Sequence, residues 1–442
     1  MKLAAGFARP STVSITPNNL NGHSIITQKI NQTSRTCCTL TATPRLGEKT
    51  LIDFNKQVKN WERFLDPVEH YPITPRTVKL GQRWKEYQGI RNWDGLLDPL
   101  DERLRGEILR YGEFVEAAYK SFDFDPSSPT YATCRFPKSS LLDRSGLPQT
   151  GYRITRNLRA TSGIQLPRWV DKAPSWVATQ SSWIGYVAVC QDKNEIARLG
   201  RRDVVIAFRG TATGLEWLEN IRATLSPVHE NAQSSSGQPG PMVESGFLSL
   251  YNSSTATSPS LRDLVRDEIK RLLQSYGNEP LSITITGHSL GAALATLAAH
   301  DIKTEFKRAP LVTVISFGGP RVGNRCFRRQ LEKQGTKVLR IVNDDDLITK
   351  VPGFVIDDDM SKNRDVHVTG LPSWIRKRVE DTQWVYAEVG RELRLRSKDS
   401  PHLKSVNVAT CHELKTYLHL VNGFVSSTCP FRDTVQGVLN IK

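Results

Sequence analysis

The apolar positions of this 442-residue chain change period partway along it. Leu104, Ile108, Tyr111, Val115, Ala118 and Phe122 recur at steps of three and four, which predicts an amphipathic helix over 100–122 with Asp98-Pro99 as its start signal. Around it, 48–100 mixes Trp, Pro and Gly with short helical pieces, and 123–180 reads as loop with isolated strands. From Trp183 onwards, short β-branched runs alternate with helical ones. Trp183 to Val189, Asp203 to Phe208, Leu281 to Thr286, Leu311 to Phe317 and Lys337 to Val342 are the strands. Leu261 to Tyr276 is a helix burying Leu264, Ile269, Leu272 and Leu273, and 291–302 is an Ala-rich one. Strands alternating with helices imply an α/β fold with a central, mostly parallel sheet. The stretch 231–241 is too polar to pack and reads as a flexible insertion. These patterns divide the chain into an extension over 48–180, packed on a catalytic domain over 181–442.

Composition adds limits to this picture. With 38% apolar and 24% charged residues and no apolar run of 18 or more, nothing here reads as a helix that crosses a membrane. The seven cysteines are scattered and lack the paired spacing of a zinc site, which points to a reducing compartment. Residues 1–47 hold five cations and no acid, with Ser and Thr throughout and no apolar core, as an organelle import sequence requires; a plastid transit peptide is expected before a mitochondrial one. Their removal takes the formal charge from +15 to +10. No aromatic-basic motif accompanies that charge, so no nucleic-acid partner is expected; anionic lipid is the functional alternative to a solvated basic face.

The densest chemistry lies at Gly287-His288-Ser289-Leu290-Gly291, between the strand ending at Thr286 and the Ala-rich helix. A strand–Gly-x-Ser-x-Gly–helix turn must reverse so sharply that side chains at the two glycines would collide with their neighbours. The turn pushes the Ser289 hydroxyl out of the sheet edge, and the helix start aims free N–H groups at the same spot. The Leu290 N–H is one donor for a developing oxyanion, and a loop after an early strand, here Phe208-Arg209-Gly210-Thr211, should offer the other.

A serine hydroxyl needs a base, and the base a carboxylate, in the chain order Ser, acid, His. The strand ending at Val342 runs into Asn343-Asp344-Asp345-Asp346. Three adjacent carboxylates cannot all be buried and ionised, and spacing alone does not choose among them. Of the four later histidines, His412 sits where a helix begins and can reach across the sheet edge; His419, two turns further on, reads as structural. His288 reads as packing locally on the other face of the elbow.

These motifs, with Ser245-Gly246-Phe247-Leu248 and Phe317-Gly318-Gly319-Pro320-Arg321-Val322-Gly323-Asn324, resemble the class 3 lipases. Asn92-Trp93-Asp94-Gly95-Leu96-Leu97-Asp98-Pro99 and Arg110-Tyr111-Gly112-Glu113 narrow the likeness to plant phospholipases A1 of the anther-dehiscence type, which include plastid members. The resemblance implies an α/β-hydrolase fold, with Ser289 as nucleophile, Asp346 as acid, His412 as base and Thr211 as the second oxyanion donor. It implies hydrolysis of glycerolipid acyl esters, with sn-1 preference on phospholipids and galactolipids or triacylglycerols as further candidates, and neither metal nor cofactor. Where related lipases carry a lid, Leu215, Trp217, Leu218 and Ile221 alternate with polar residues as an amphipathic helix that would turn onto a membrane or lipid-droplet surface. A lipid-binding protein that has lost turnover and a soluble-ester hydrolase are the competing functions.

Overall fold

The computed structural model describes residues 79–125, 127–161, 181–211, 224–228, 240–256, 258–352, 386–400 and 408–425. The expected transit peptide, the lid residues Leu215, Trp217, Leu218 and Ile221, and nearly all of the 231–241 insertion lie outside them.

Helix α1 (Glu102–Ser121) is started by Asp101, whose carboxylate accepts the N–H groups of Arg103 and Leu104 at 2.8 and 3.1 Å. The cap is thus three residues past the expected Asp98-Pro99, because the side chain that reaches the free first-turn donors decides the start. Strands β1 (Tyr152–Thr161) and β2 (Ser181–Cys190) follow, then α2 (Lys193–Leu199) and β3 (Arg202–Phe208). A two-stranded ribbon of β4 (Leu225–Pro227) and β5 (Met242–Glu244) leads into α3 (Ser245–Asn252) and α4 (Leu261–Tyr276). Strand β6 (Leu281–His288), α5 (Leu290–Glu305), β7 (Leu311–Phe317), α6 (Arg325–Lys333), β8 (Lys337–Asn343) and β9 (Arg391–Leu395) complete the α/β alternation. The short α7 (Val408–His412) and α8 (Leu414–Asn422) close the described chain.

Seven strands form one sheet in the order β1-β2-β3-β6-β7-β8-β9. The first two pairings are antiparallel and the other four parallel. This is the mostly parallel α/β sheet expected of an α/β-hydrolase. The period-two alternation of each strand sorts residues to two faces. In β3, Val204, Ile206 and Phe208 join one core with α4 and α5, and Val205 and Ala207 join the other with α1. In β6, Ile283 and Ile285 share the α5 side, while Ser282 and Thr284 bond to polar side chains on the α1 side. Helix α5 is buried at each residue from Leu290 to Ile302, as befits an Ala-rich helix apolar on most of its faces, with Thr296, His300 and Asp301 buried among them.

The expected boundary near residue 181 does not divide these cores. Strand β1 pairs with β2 from Tyr152 to Thr161, and α1 packs on β3, β6 and β7 from within the same cluster.

Candidate active site

The Ile283 and Ile285 strand ends in a turn held by the Ser289 N–H, which donates to the Phe317 carbonyl at 3.0 Å. Ser289 has φ 57° and ψ −127°, a left-handed conformation costly for a residue with a Cβ and found where the surroundings enforce it. The flanking glycines allow that turn: a Cβ on Gly287 would lie 2.3 Å from the Gly291 carbonyl, and one on Gly291 2.5 Å from that of Arg209. Leu290 is the first residue of α5, so its N–H has no intrahelical acceptor and points from the positive end of the helix.

The three aspartates separate cleanly. Asp344 forms ion pairs with Arg394 and Arg396 on the surface, and Asp345 accepts the Ser397 N–H at 3.2 Å. Asp346 alone of the three is fully buried, and its carboxylate accepts from His412 Nδ1 at 2.7 Å, the Tyr417 hydroxyl at 2.5 Å and the Ile348 N–H at 2.9 Å. A carboxylate only accepts, so Nδ1 carries the proton and the His412 Nε2 lone pair is free to take one. Tyr417 stays a donor, since burial first and the Asp346 charge second push its phenol well above the ordinary range. Asn343 braces the acid loop: its side-chain amide donates to Ser397 Oγ at 2.7 Å and the Cys411 carbonyl at 3.0 Å. His412 thus ends α7 at its junction with α8, close to the expected helix start.

His288 joins the elbow to the base. Its Nδ1 lies 2.7 Å from the Tyr119 hydroxyl and its Nε2 2.7 Å from the His412 carbonyl, and the two imidazoles are 4.7 Å apart between centroids. Tyr119 already accepts the Gly210 N–H at 2.9 Å, so its own proton goes to Nδ1, and His288 Nε2–H donates to His412. Burial, then the neighbouring His412, hold His288 well below the usual histidine range, so it stays neutral. His419 stands apart, bonded to Ser400 Oγ at 2.9 Å.

The loop after β3 reaches the same place, since a Cβ on Gly210 would sit 3.0 Å from that of Ser289. Ser289 Oγ, His412 Nε2 and Thr211 Oγ1 are each buried with no hydrogen-bond partner among the described residues. Buried polar atoms are nearly always satisfied, so bonding capacity is left open at three expected site residues. No motif pointed to Tyr119 or Tyr417, whose contacts here cross long stretches of chain, and the loop motif that held Arg209 did not mark its side chain.

The model of the lipase (class 3) family matches residues 205–356, which hold the elbow, the Thr211 loop and Asp346. The chain is also 74% identical to the chloroplastic phospholipase A(1) DAD1 of Arabidopsis thaliana over 82% of this chain and 81% of that protein. The chain belongs to the class 3 lipase family. Other Arabidopsis thaliana relatives of the lipase are the chloroplastic phospholipase A1-Igamma2, 42% identical over 79% of this chain and 67% of that protein, and the chloroplastic galactolipase DONGLE, 40% identical over 78% and 71%. The lipase is a carboxylic ester hydrolase whose substrates are lipids.

Proposed function

We propose that this lipase is a plastid phospholipase A1 that releases fatty acid from the sn-1 position of glycerolipids, with galactolipids and triacylglycerols as further substrates. Ser289 Oγ attacks the ester carbonyl as His412 Nε2 takes its proton, and Asp346 holds the resulting imidazolium. The N–H groups of Leu290 and Thr211 receive the tetrahedral oxyanion. Collapse releases a lysolipid protonated by His412, and water, activated by the same imidazole, frees the fatty acid. The observation that carries the reading is the Asp346–His412 pair at 2.7 Å, linked through His288 to the strained Ser289. The 74% identity to a protein named as a phospholipase A(1) supports the substrate class.

Access to lipid involves a surface. The pattern of Leu215, Trp217, Leu218 and Ile221 fits a lid whose apolar face turns onto lipid, and Leu347, beside Asp346, leaves 52% of an apolar side chain exposed. The basic charge draws such a protein to anionic lipid. The lipase works in the plastid, as the relatives named chloroplastic do, and the acid-free, basic residues 1–47 fit an import signal.

A panel of phosphatidylcholine, monogalactosyl diacylglycerol and triolein vesicles or emulsions, each labelled at sn-1, tests this reading with Ser289→Ala as control. Release of labelled acid from phosphatidylcholine is expected; hydrolysis confined to soluble esters would sink it. Trp217→Ser should lower turnover of vesicles far more than of a soluble short-chain ester, and equal losses would remove the lid. Cytosolic fluorescence from a fusion of residues 1–60 would remove the plastid address.

A further inference from the structure

Arg209 is a buried cation without a counter-ion among the described residues. Only 5% of it is exposed, and around it lie a backbone carbonyl on each side, one hydroxyl and two rings. Nε donates to the Trp183 carbonyl at 3.0 Å, one terminal nitrogen to the Gly210 carbonyl at 2.7 Å and the other to Ser182 Oγ at 3.0 Å. The guanidinium carbon stands 3.5 Å above the centre of the Phe122 ring and 5.9 Å from that of Phe124. Burial depresses the group to about 10, which still leaves it charged at neutral pH. An unpaired charge in such a place is expensive, and the site must gain something from it.

The gain lies in the next peptide. The C=O of Gly210 and the N–H of Thr211 belong to one planar trans unit and point opposite ways. Tying the carbonyl to Arg209 therefore turns the Thr211 N–H away from Arg209. On the other flank of Gly210, its own N–H is tied to the Tyr119 hydroxyl at 2.9 Å. The residue itself is wedged, since a Cβ there would lie 2.4 Å from the Tyr119 hydroxyl, 2.8 Å from the His288 carbonyl and 3.0 Å from Ser289 Cβ. With both polar groups of Gly210 spoken for, the peptide cannot flip without breaking a bond to a buried side chain.

We propose that Arg209 and Tyr119 are positioning residues that clamp the Gly210 peptide and so preset the Thr211 N–H for the oxyanion, with the unpaired Arg209 charge favouring the anionic state. Tyr119 carries the constraint further, through His288 to the His412 carbonyl, so the hole and the base are aligned by one hydrogen-bonded chain. The inference rests on the proposed roles of Ser289 and Thr211. It predicts that loss of either clamp is felt when charge develops on the carbonyl oxygen, and hardly at all in substrate binding.

The experiment uses the full chain and a fluorophosphonate probe. Ser289 Oγ bonds to phosphorus, fluoride leaves, and the serine proton passes to His412, through a transition state whose phosphoryl oxygen needs the same hole. In Arg209→Met, kcat on a soluble short-chain ester should fall about 100-fold per titrated site with KM within about 3-fold, and the phosphonylation rate should fall in proportion. Tyr119→Phe, which removes one hydroxyl, should cost about 10-fold in the same two quantities. The double variant should lie nearer to Arg209→Met than to the product of both losses, since both act through one residue, Gly210. Phosphonylation at the wild-type rate in Tyr119→Phe would overturn the clamp, even if Arg209→Met failed to fold. So would a rise in KM with kcat unchanged. A wild-type adduct found away from Ser289 would overturn the site itself; an adduct on Ser289 with unaffected variants would overturn only the clamp.

Discussion

Both ends of strands β3 and β6 gather buried polar groups, yet their hydrogen bonding is opposite. The strands pair in parallel from Arg202 beside Leu281 to Phe208 beside Gly287, so both regions hang on the same backbone. At the start, Asp203 accepts from Ser282 Oγ at 2.8 Å, the hydroxyls of Tyr152 and Tyr111 at 2.8 and 3.0 Å and Arg110 at 3.2 Å. Arg110 also pairs with Glu107 at 2.6 Å, and Arg201 donates to Ser282 Oγ at 2.7 Å and the Tyr111 hydroxyl at 3.0 Å. Two acids and two guanidinium groups balance there. At the far end, Ser289 Oγ, Thr211 Oγ1 and His412 Nε2 have no described partner, and Arg209 has no carboxylate. Matched polar groups lock the sheet to α1 at one end; on the proposed mechanism, unmatched ones at the other keep their bonding capacity for a transition state. Activity and stability should therefore separate between the two ends.

The sharpest break is at Ser289. Ser289→Ala should lower kcat by about 10⁵- to 10⁶-fold, as removal of a covalent nucleophile does, without lowering the unfolding midpoint, because the hydroxyl it deletes bonds to nothing described. His412→Ala should match it. Asp346→Asn should cost about 10⁴-fold through the wrong imidazole tautomer, while Asp344→Asn and Asp345→Asn should stay within about 10-fold. His419→Ala should act on stability, through Ser400. If His419→Ala were the inactive variant, the base assignment would be wrong.

The opposite end should give the opposite pattern. Burial alone would raise the Asp203 carboxyl, but Arg201 and Arg110, helped by Ser282 and Tyr152, hold it below its ordinary value. Asp203→Ala leaves the two guanidinium groups with Glu107 as their sole acid in this network, and should destabilise by about 3–5 kcal/mol in urea unfolding. Turnover per folded molecule should hold within about 2-fold. A large loss of kcat at full foldedness would mean that the two ends are coupled through β3.

What the sequence disclosed follows the same division between local and distant causes. The elbow, the aspartate loop over 344–346 and His412 are carried by short motifs; the choice of Asp346 over its two neighbours came from the family likeness, and it is Asp346 that accepts from His412. Strand β9 was hidden because Arg391-Glu392-Leu393-Arg394-Leu395 reads as a basic run, although Leu393 and Leu395 alternate inward and are buried. Strand β1 was hidden differently: register shifts between Ile154 and Arg156 and between Leu158 and Arg159 break its period-two pattern, and the outer edge of the sheet tolerates its arginines. Tyr119 and Tyr417 gain their importance from partners that only the fold brings near, such as Tyr119 and His288 across 169 residues. No local pattern encodes such pairs.

The smallest expected effect concerns the bridge at the unmatched end. His288 is enclosed by Tyr119 from α1, His412 from α7 and Tyr417 from α8, and no carboxylate bonds to its ring among the described residues. Burial, then the neighbouring His412, hold its basicity well below the ordinary 6.5. The sign follows from which state takes the proton. Below about 6.5 the unfolded chain protonates this histidine and the folded chain does not, so acid draws the equilibrium towards unfolding. The neutral ring's stability is fully present above that value and is lost as pH falls through it, at up to about 1.4 kcal/mol per pH unit for one proton. His288→Asn removes the titration. It also breaks the chain from Tyr119 to His412, so its stability should be lower throughout, but its decline between pH 6.5 and 5 should be shallower than that of the wild type. Urea unfolding at several pH values in that window measures the difference in slope. Parallel curves would mean that His288 takes a proton in the folded lipase as readily as in the unfolded chain, and the donor order from Tyr119 through His288 to His412 would have to be reversed.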